Sequence, residues 1–201
     1  MGLDMYAYKI RKPTDDEAVA FEGMDAGELS GEFAAIRVSD TKDNDGELAC
    51  KDLLHYASII RMKTRCFNQE KFLEDHDIPR DAVCGMRSYS GESFTYEYFW
   101  KPAGSDKKIS KELTFTDIDE FDRKYGYWEE EDYIVFCEDE VGYWRKNYDL
   151  QDRLYDAYEG QIVNCGYHLC NDEMLSLMRE AGMTEDCECQ DGEAIFYHEW
   201  Y

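Results

Sequence analysis

Val83 to Trp100 reads VCGMRSYSGESFTYEYFW, and its second half alternates large rings with smaller or polar residues. Phe94, Tyr96, Tyr98 and Trp100 fall on one side of an extended chain, because successive side chains of a strand point to opposite faces. Ser90-Gly91 stands just before that run and supplies a turn, so the segment predicts a β-hairpin. A hairpin commits its two strands to antiparallel pairing. Met1 to Ile10 also alternates, and further strands are expected at Phe33 to Val38, Glu112 to Thr116, within Glu131 to Trp144, at Gly166 to Cys170 and at Ala194 to Tyr201. Helical spacing predicts other elements. Leu53, Ala57, Ile60, Thr64 and Phe67 recur at three and four residues, with Ile59, Met62 and Cys66 widening the stripe, which predicts a helix ending before Ile78-Pro79. Ile118 to Tyr125 and Leu150 to Tyr158 predict two more, and Asn171 can cap another that Gly182 ends. Thr14 to Gly31, acidic and with glycines at 23, 27 and 31, reads as a mobile loop or a short weak helix. Strands and helices are intermixed without βαβ alternation. The expected class is therefore α+β, a mainly antiparallel sheet with about three to four helices packed on it, in a single domain over residues 1–201.

Composition supports a packed core and bounds the setting. Aromatics make up 15% of the 201 residues, whereas a chain disordered by charge is poor in them. Met1 to Ile10 carries Asp4 and Lys9 and lacks the apolar run of a secretory signal, and no stretch approaches about 18 apolar residues. The eight cysteines are accordingly expected as thiols of a cytosolic protein rather than a disulfide framework, with no membrane contact.

Charge is the strongest signal: 46 Asp and Glu against 22 Lys and Arg, for a net −24. Such a balance repels phosphate and argues against direct nucleic-acid binding, which wants a basic stripe. It points instead to a basic protein partner. The acidity concentrates between Glu112 and Glu140, where twelve acidic residues face only Arg123 and Lys124. Two knots stand out there: Glu129, Glu130, Glu131 and Asp132, then Glu138, Asp139 and Glu140. Beyond Gly160 the only basic residue is Arg179. A monomer of this mass exposes on the order of 10,000 Å², so −24 spread evenly is about one charge per 400 Å². Duplex DNA carries about one per 100 Å² of its cylinder. Only clustered carboxylates could imitate nucleic acid, and the two knots are the candidate partner-binding residues.

Catalytic and metal chemistry find little support in the sequence. His168 and Cys170 would share one face of a strand, and Cys187 with Cys189 could complete a four-ligand zinc site, but the spacing lacks paired CxxC motifs and Cys165 would face the other way. Thr41, Asp43, Asp45, Gly46 and Asp52 approach the register of a calcium loop without the Asp at its first position or the Glu at its twelfth. The four histidines, at 55, 76, 168 and 198, lie in unrelated contexts, and no GxSxG or GK[ST] motif appears. No cofactor and no catalytic residue are expected. The competing expectation is a cytosolic enzyme or small-ligand sequestering protein with an aromatic pocket and a Cys/His metal site.

Four short motifs carry a resemblance. MGLDMY at the start, EVGYWRK at Glu140 to Lys146, NCGYHL at Asn164 to Leu169 and FYHEW at Phe196 to Trp200 resemble a recurrent group of small phage and prophage proteins of unassigned activity. The likeness covers the first ten residues and roughly the last sixty, and residues 14–135 stand as an insertion particular to this chain. The resemblance implies a viral protein acting in the host cytosol. With the charge, it leads to an expected function: an anti-CRISPR-like inhibitor that mimics nucleic acid and occludes a basic channel of a host complex such as a CRISPR effector.

Overall fold

The computed structural model describes residues 3–41, 51–90, 93–158, 162, 166–184 and 188–200. Extended chain dominates it. The strands are β1 (Asp4–Arg11), β2 (Phe33–Arg37), β3 (Ser58–Phe67), β4 (Val83–Tyr89), β5 (Phe94–Trp100), β6 (Ile109–Phe115), β7 (Gly126–Arg145), β8 (Tyr167–Leu169) and β9 (Glu193–Trp200). The helices are α1 (Asp15–Phe21), α2 (Gln69–Asp75), α3 (Ile118–Tyr125), α4 (Tyr148–Ala157) and α5 (Asp172–Glu180). The class is α+β with mainly antiparallel sheets, as expected, but the described residues hold five α-helices rather than three to four. α1 is the short helix that Thr14 to Gly31 offered beside a loop, and α2 is additional; each spans seven residues, under two full turns, so periodicity barely registers them. Their caps do. The Thr14 side chain accepts from the Glu17 amide while Glu17 reaches back to the Thr14 amide, and Asn68 accepts from the Lys71 amide.

One expected helix is a strand. Residues 53–67 divide into a 3₁₀ turn at Asp52–Tyr56 and β3, in which Ile60, Met62 and Thr64 are buried and their neighbours exposed. The apolar positions of this stretch satisfy both periods. Pairing with β7 decides between them, since a strand beside a partner gains a hydrogen-bond ladder and buries its period-two face.

The chain divides into two compact units, Met1–Lys63 with Glu130–Tyr201, and Thr64–Glu129. The second contains the hairpin. β4, β5 and β6 form an antiparallel meander, and Phe94, Tyr96 and Tyr98 bury the predicted face against Phe72, Phe121 and Tyr125 of α2 and α3. Ring contacts dominate this core, including Phe94 edge-on to Phe121 at 4.6 Å and Phe67 stacked on Tyr96 at 5.9 Å.

In the first unit the sheet order is β2-β7-β1-β9-β8, with β3 also pairing β7. Helices α4 and α5 cover one face of this sheet. Leu150, Leu154 and Ala157 of α4 and Met174 and Met178 of α5 pack with Met5, Ala7, Val141, Trp144, Ile195 and Tyr197. Asn171 ties the two helices together: its Oδ1 accepts from the Met174 amide at 2.9 Å and its Nδ2 donates to Ala157 O at 2.7 Å. Glu199, fully buried, accepts from Gln151 Nε2 at 3.1 Å and from the Tyr197 hydroxyl at 2.8 Å, linking β9 to α4. The opposite face is half covered. Leu53 and Ala57 close over Ile10, Ile134, Phe136, Ala194 and Phe196, and along β1 the buried side accordingly switches from Met5 and Ala7 to Ile10.

Candidate functional site

The half of that face that no described residue covers carries rings. Cross-strand partners in an antiparallel sheet point the same way, so register alone builds the rows. Trp200, Asp4 and Arg145 form the outermost row, and Tyr167, His198, Tyr6 and Tyr143 form the next, across four strands. Centroids in that second row lie 4.6 Å apart for Tyr167 and His198, 6.2 Å for His198 and Tyr6, and 5.1 Å for Tyr6 and Tyr143. It is a continuous ladder of four rings. Tyr8 stacks beside Tyr6 at 5.6 Å in the third row, opposite Glu140.

A β-bulge makes this face acidic as well as aromatic. Ala7 pairs with Gly142 but Tyr8 pairs with Glu140, leaving Val141 as the extra residue of β7. Strict alternation would send Tyr143 and Glu140 to opposite faces, three residues being an odd step. With the bulge both stand on the ring side, while Val141 turns into the helix-covered core.

The polar groups of the face tune one another. Tyr143 donates its hydroxyl to Asp4 Oδ1 at 2.8 Å, and Arg145 Nε lies 3.6 Å from the same oxygen. Tyr167 donates to Glu138 Oε2 at 2.9 Å. Burial pushes the Glu138 carboxyl above its usual range, opposed by that hydrogen bond. Burial, then the charges of Glu138 and Glu140, raise the Tyr8 phenol. His198 Nδ1 meets Gly166 O at 3.0 Å, and desolvation lowers the imidazole's pKa. Tyr143 is 46% exposed and Trp200 58%, and Glu140 is exposed.

The seven carboxylates expected to bind a partner all lie on β7, and the strand distributes rather than gathers them. Glu131 is in ionic contact with Arg37 at 2.8 Å, and Asp132 pairs with Arg61 at 2.9 Å. Glu129 accepts from the Cys66 thiol at 3.5 Å. Glu130 is exposed ten residues from Glu140, about 33 Å along a strand. Asp139 points away from its neighbours Glu138 and Glu140, which share the ring face. Of the seven, only Glu138 and Glu140 join the platform.

For the zinc candidates, His168 is buried on the helix side with the Tyr158 ring 5.3 Å away. Burial pushes the Cys170 thiol up to about 12, and Cys189 is exposed. Cys165 and Cys187 lie outside the described residues, as do residues 42–50 of the calcium-like stretch. Among the described residues no group of three or more His, Cys, Asp or Glu is placed to hold a metal, the five described cysteines carry thiols, and no helix is long and apolar enough to cross a membrane. The second unit has a pocket of about 270 Å³ against Phe115, Phe121, Lys124 and Tyr125, where His76 Nε2 meets the Tyr125 hydroxyl at 3.0 Å. No cysteine or serine lines it among the described residues.

Comparison of the chain with protein-family models, curated proteins and solved structures finds no match. The site therefore rests on its own geometry. The ladder escaped the reading of the sequence because its four rings sit on four separated segments. Yet each ring lies within one of the terminal motifs: Tyr6, Tyr143, Tyr167 and His198 come one each from MGLDMY, EVGYWRK, NCGYHL and FYHEW.

Proposed function

We propose that this chain is a non-enzymatic inhibitor that binds a basic surface of a host nucleic-acid-handling defence complex in the cytosol, an anti-CRISPR-like protein of phage origin. The observation that carries the reading is the segregation of charge. The unit formed by residues 1–63 and 130–201 holds 32 acidic and 12 basic residues, a net of −20, against 14 and 10, a net of −4, in residues 64–129. The acidic unit presents its helices to solvent with exposed Asp149, Asp152 and Asp156 along α4 and Asp172 and Glu173 opening α5. The spacing of the α4 residues, three and then four, sets them in one stripe. A surface of this sign is steered toward a basic channel and competes there with phosphate. The resemblance of the terminal motifs to phage proteins supplies the host-defence setting.

The test is binding to purified CRISPR effector complexes, with and without guide and target, across an ionic-strength series. Binding that is strong at low salt and falls steeply with added salt is expected. Reversing Asp149, Asp152 and Asp156 to Lys, or Glu129 to Asp132 likewise, should weaken it. Absence of binding at low salt, or affinity indifferent to both reversals, removes the proposal.

A further inference from the structure

We propose that the ring ladder and Glu140 form a docking surface for arginine side chains of a basic partner segment. This deepens the reading above and rests on its claim of a basic partner, but it names a different face and a specific chemistry.

The surface already holds one arginine. Arg145 lies against Asp4 at the end of the ladder, beside Tyr143, which donates to the same carboxyl oxygen. That triad of carboxylate, phenol and guanidinium shows how the face accommodates a planar cation. Two rows along, Glu140 presents the same ingredients with no arginine on it among the described residues: an exposed carboxylate opposite Tyr8, whose charge adds to burial in raising the phenols of both Tyr8 and Tyr6. Flat rings and carboxylates side by side favour guanidinium over ammonium. Guanidinium is planar, weakly hydrated and able to stack on a ring while donating to a carboxylate, whereas ammonium is compact and holds its water. The occupant is therefore an arginine-bearing segment, and a unit of net charge −20 supplies long-range attraction for it. The bulge at Val141 is what makes the site, by setting Glu140 and Tyr143 on one face.

The experiment titrates the isotope-labelled full chain with the peptide acetyl-Gly-Arg-Gly-Arg-Gly-amide and its lysine counterpart at low salt, following backbone amide shifts. The arginine peptide should move the signals of Tyr6, Tyr143 and Trp200 and bind about threefold or more tightly than the lysine peptide. Glu140→Gln should weaken it by about three- to fivefold, and Tyr143→Ala by a similar factor, the range expected for an exposed charge pair and a ring contact. Glu22→Gln, an exposed carboxylate at the end of α1, should leave it unchanged. Arg145→Ala, which removes the resident competitor from Asp4, should tighten it by about twofold. Equal affinity for the two peptides, shifts confined to α4 and α5, or insensitivity to Glu140→Gln overturns the inference. Effector binding that survives Glu140→Gln and Tyr143→Ala unchanged rejects the ladder and leaves the acidic reading standing, whereas peptide binding on the ladder without effector binding rejects that reading alone.

Discussion

Gly142→Ala tests the geometry that builds the platform. A β-carbon on Gly142 would stand 2.5 Å from Trp144 Cη2 and 3.1 Å from two further indole carbons, against an ordinary contact of 3.4 Å or more. The ring must give by about 1 Å. It has little freedom to do so, being 8% exposed, packed among Val141, Leu150 and their neighbours, and held by its Nε1 donating to Ala181 O at 2.8 Å. Overpacking of this kind costs about 1–3 kcal/mol, and losing the indole hydrogen bond about 1 kcal/mol more. We expect a loss of about 2–3 kcal/mol, seen as a drop in Tm of about 4–12 °C for a chain of this size. Urea unfolding of the pure protein measures it, and the Tyr143 and Glu140 amide shifts should move in the folded variant. Trp144→Phe in the same background removes the obstructing carbons, so the double variant should be at least about 1 kcal/mol better than additivity. Gly126→Ala is the control, because the atoms met there belong to the flexible end of Arg65. A Gly142→Ala protein within about 0.5 kcal/mol of the parent, or an additive double variant, would refute the reasoning.

Two further outcomes follow from the same unit. Asn171→Ala should cost about 1–3 kcal/mol by losing both the cap of α5 and the bond to the end of α4, while Asn171→Asp keeps the cap and should cost less, as read by thermal unfolding. The ring face should also carry two opposed pH terms. The folded pKa of His198 is depressed, so its contribution is present above its unfolded value near 6.5 and is lost as pH falls below it; His198→Gln should flatten that acid-side decline. The folded pKa of Glu138 is raised, so its contribution is full below its unfolded value near 4.5 and is lost as pH rises; Glu138→Gln should raise stability at pH 7 and leave it unchanged near pH 4. A Glu138→Gln protein less stable at pH 7 than the parent contradicts the assigned cause.

Local pattern by itself determined much of this protein. The alternation of Phe94 to Trp100 marked β5 and its hairpin, Ile118 to Tyr125 is α3 residue for residue, and Asn171 and Gly182 bracket α5, because strands, turns and caps are fixed by neighbours within a few residues. Composition fixed the sign of the surface. Residues 53–67 could not be decided locally, since Ile60, Met62 and Thr64 serve either period until β7 lies beside them. The platform belongs wholly to tertiary structure. Its rings come from residues 6, 143, 167 and 198, and they meet only because four strands align in one register. One unpaired residue, Val141, then decides which carboxylate stands with them: a step of one along a strand reverses the face, and no local pattern announces where the step will fall.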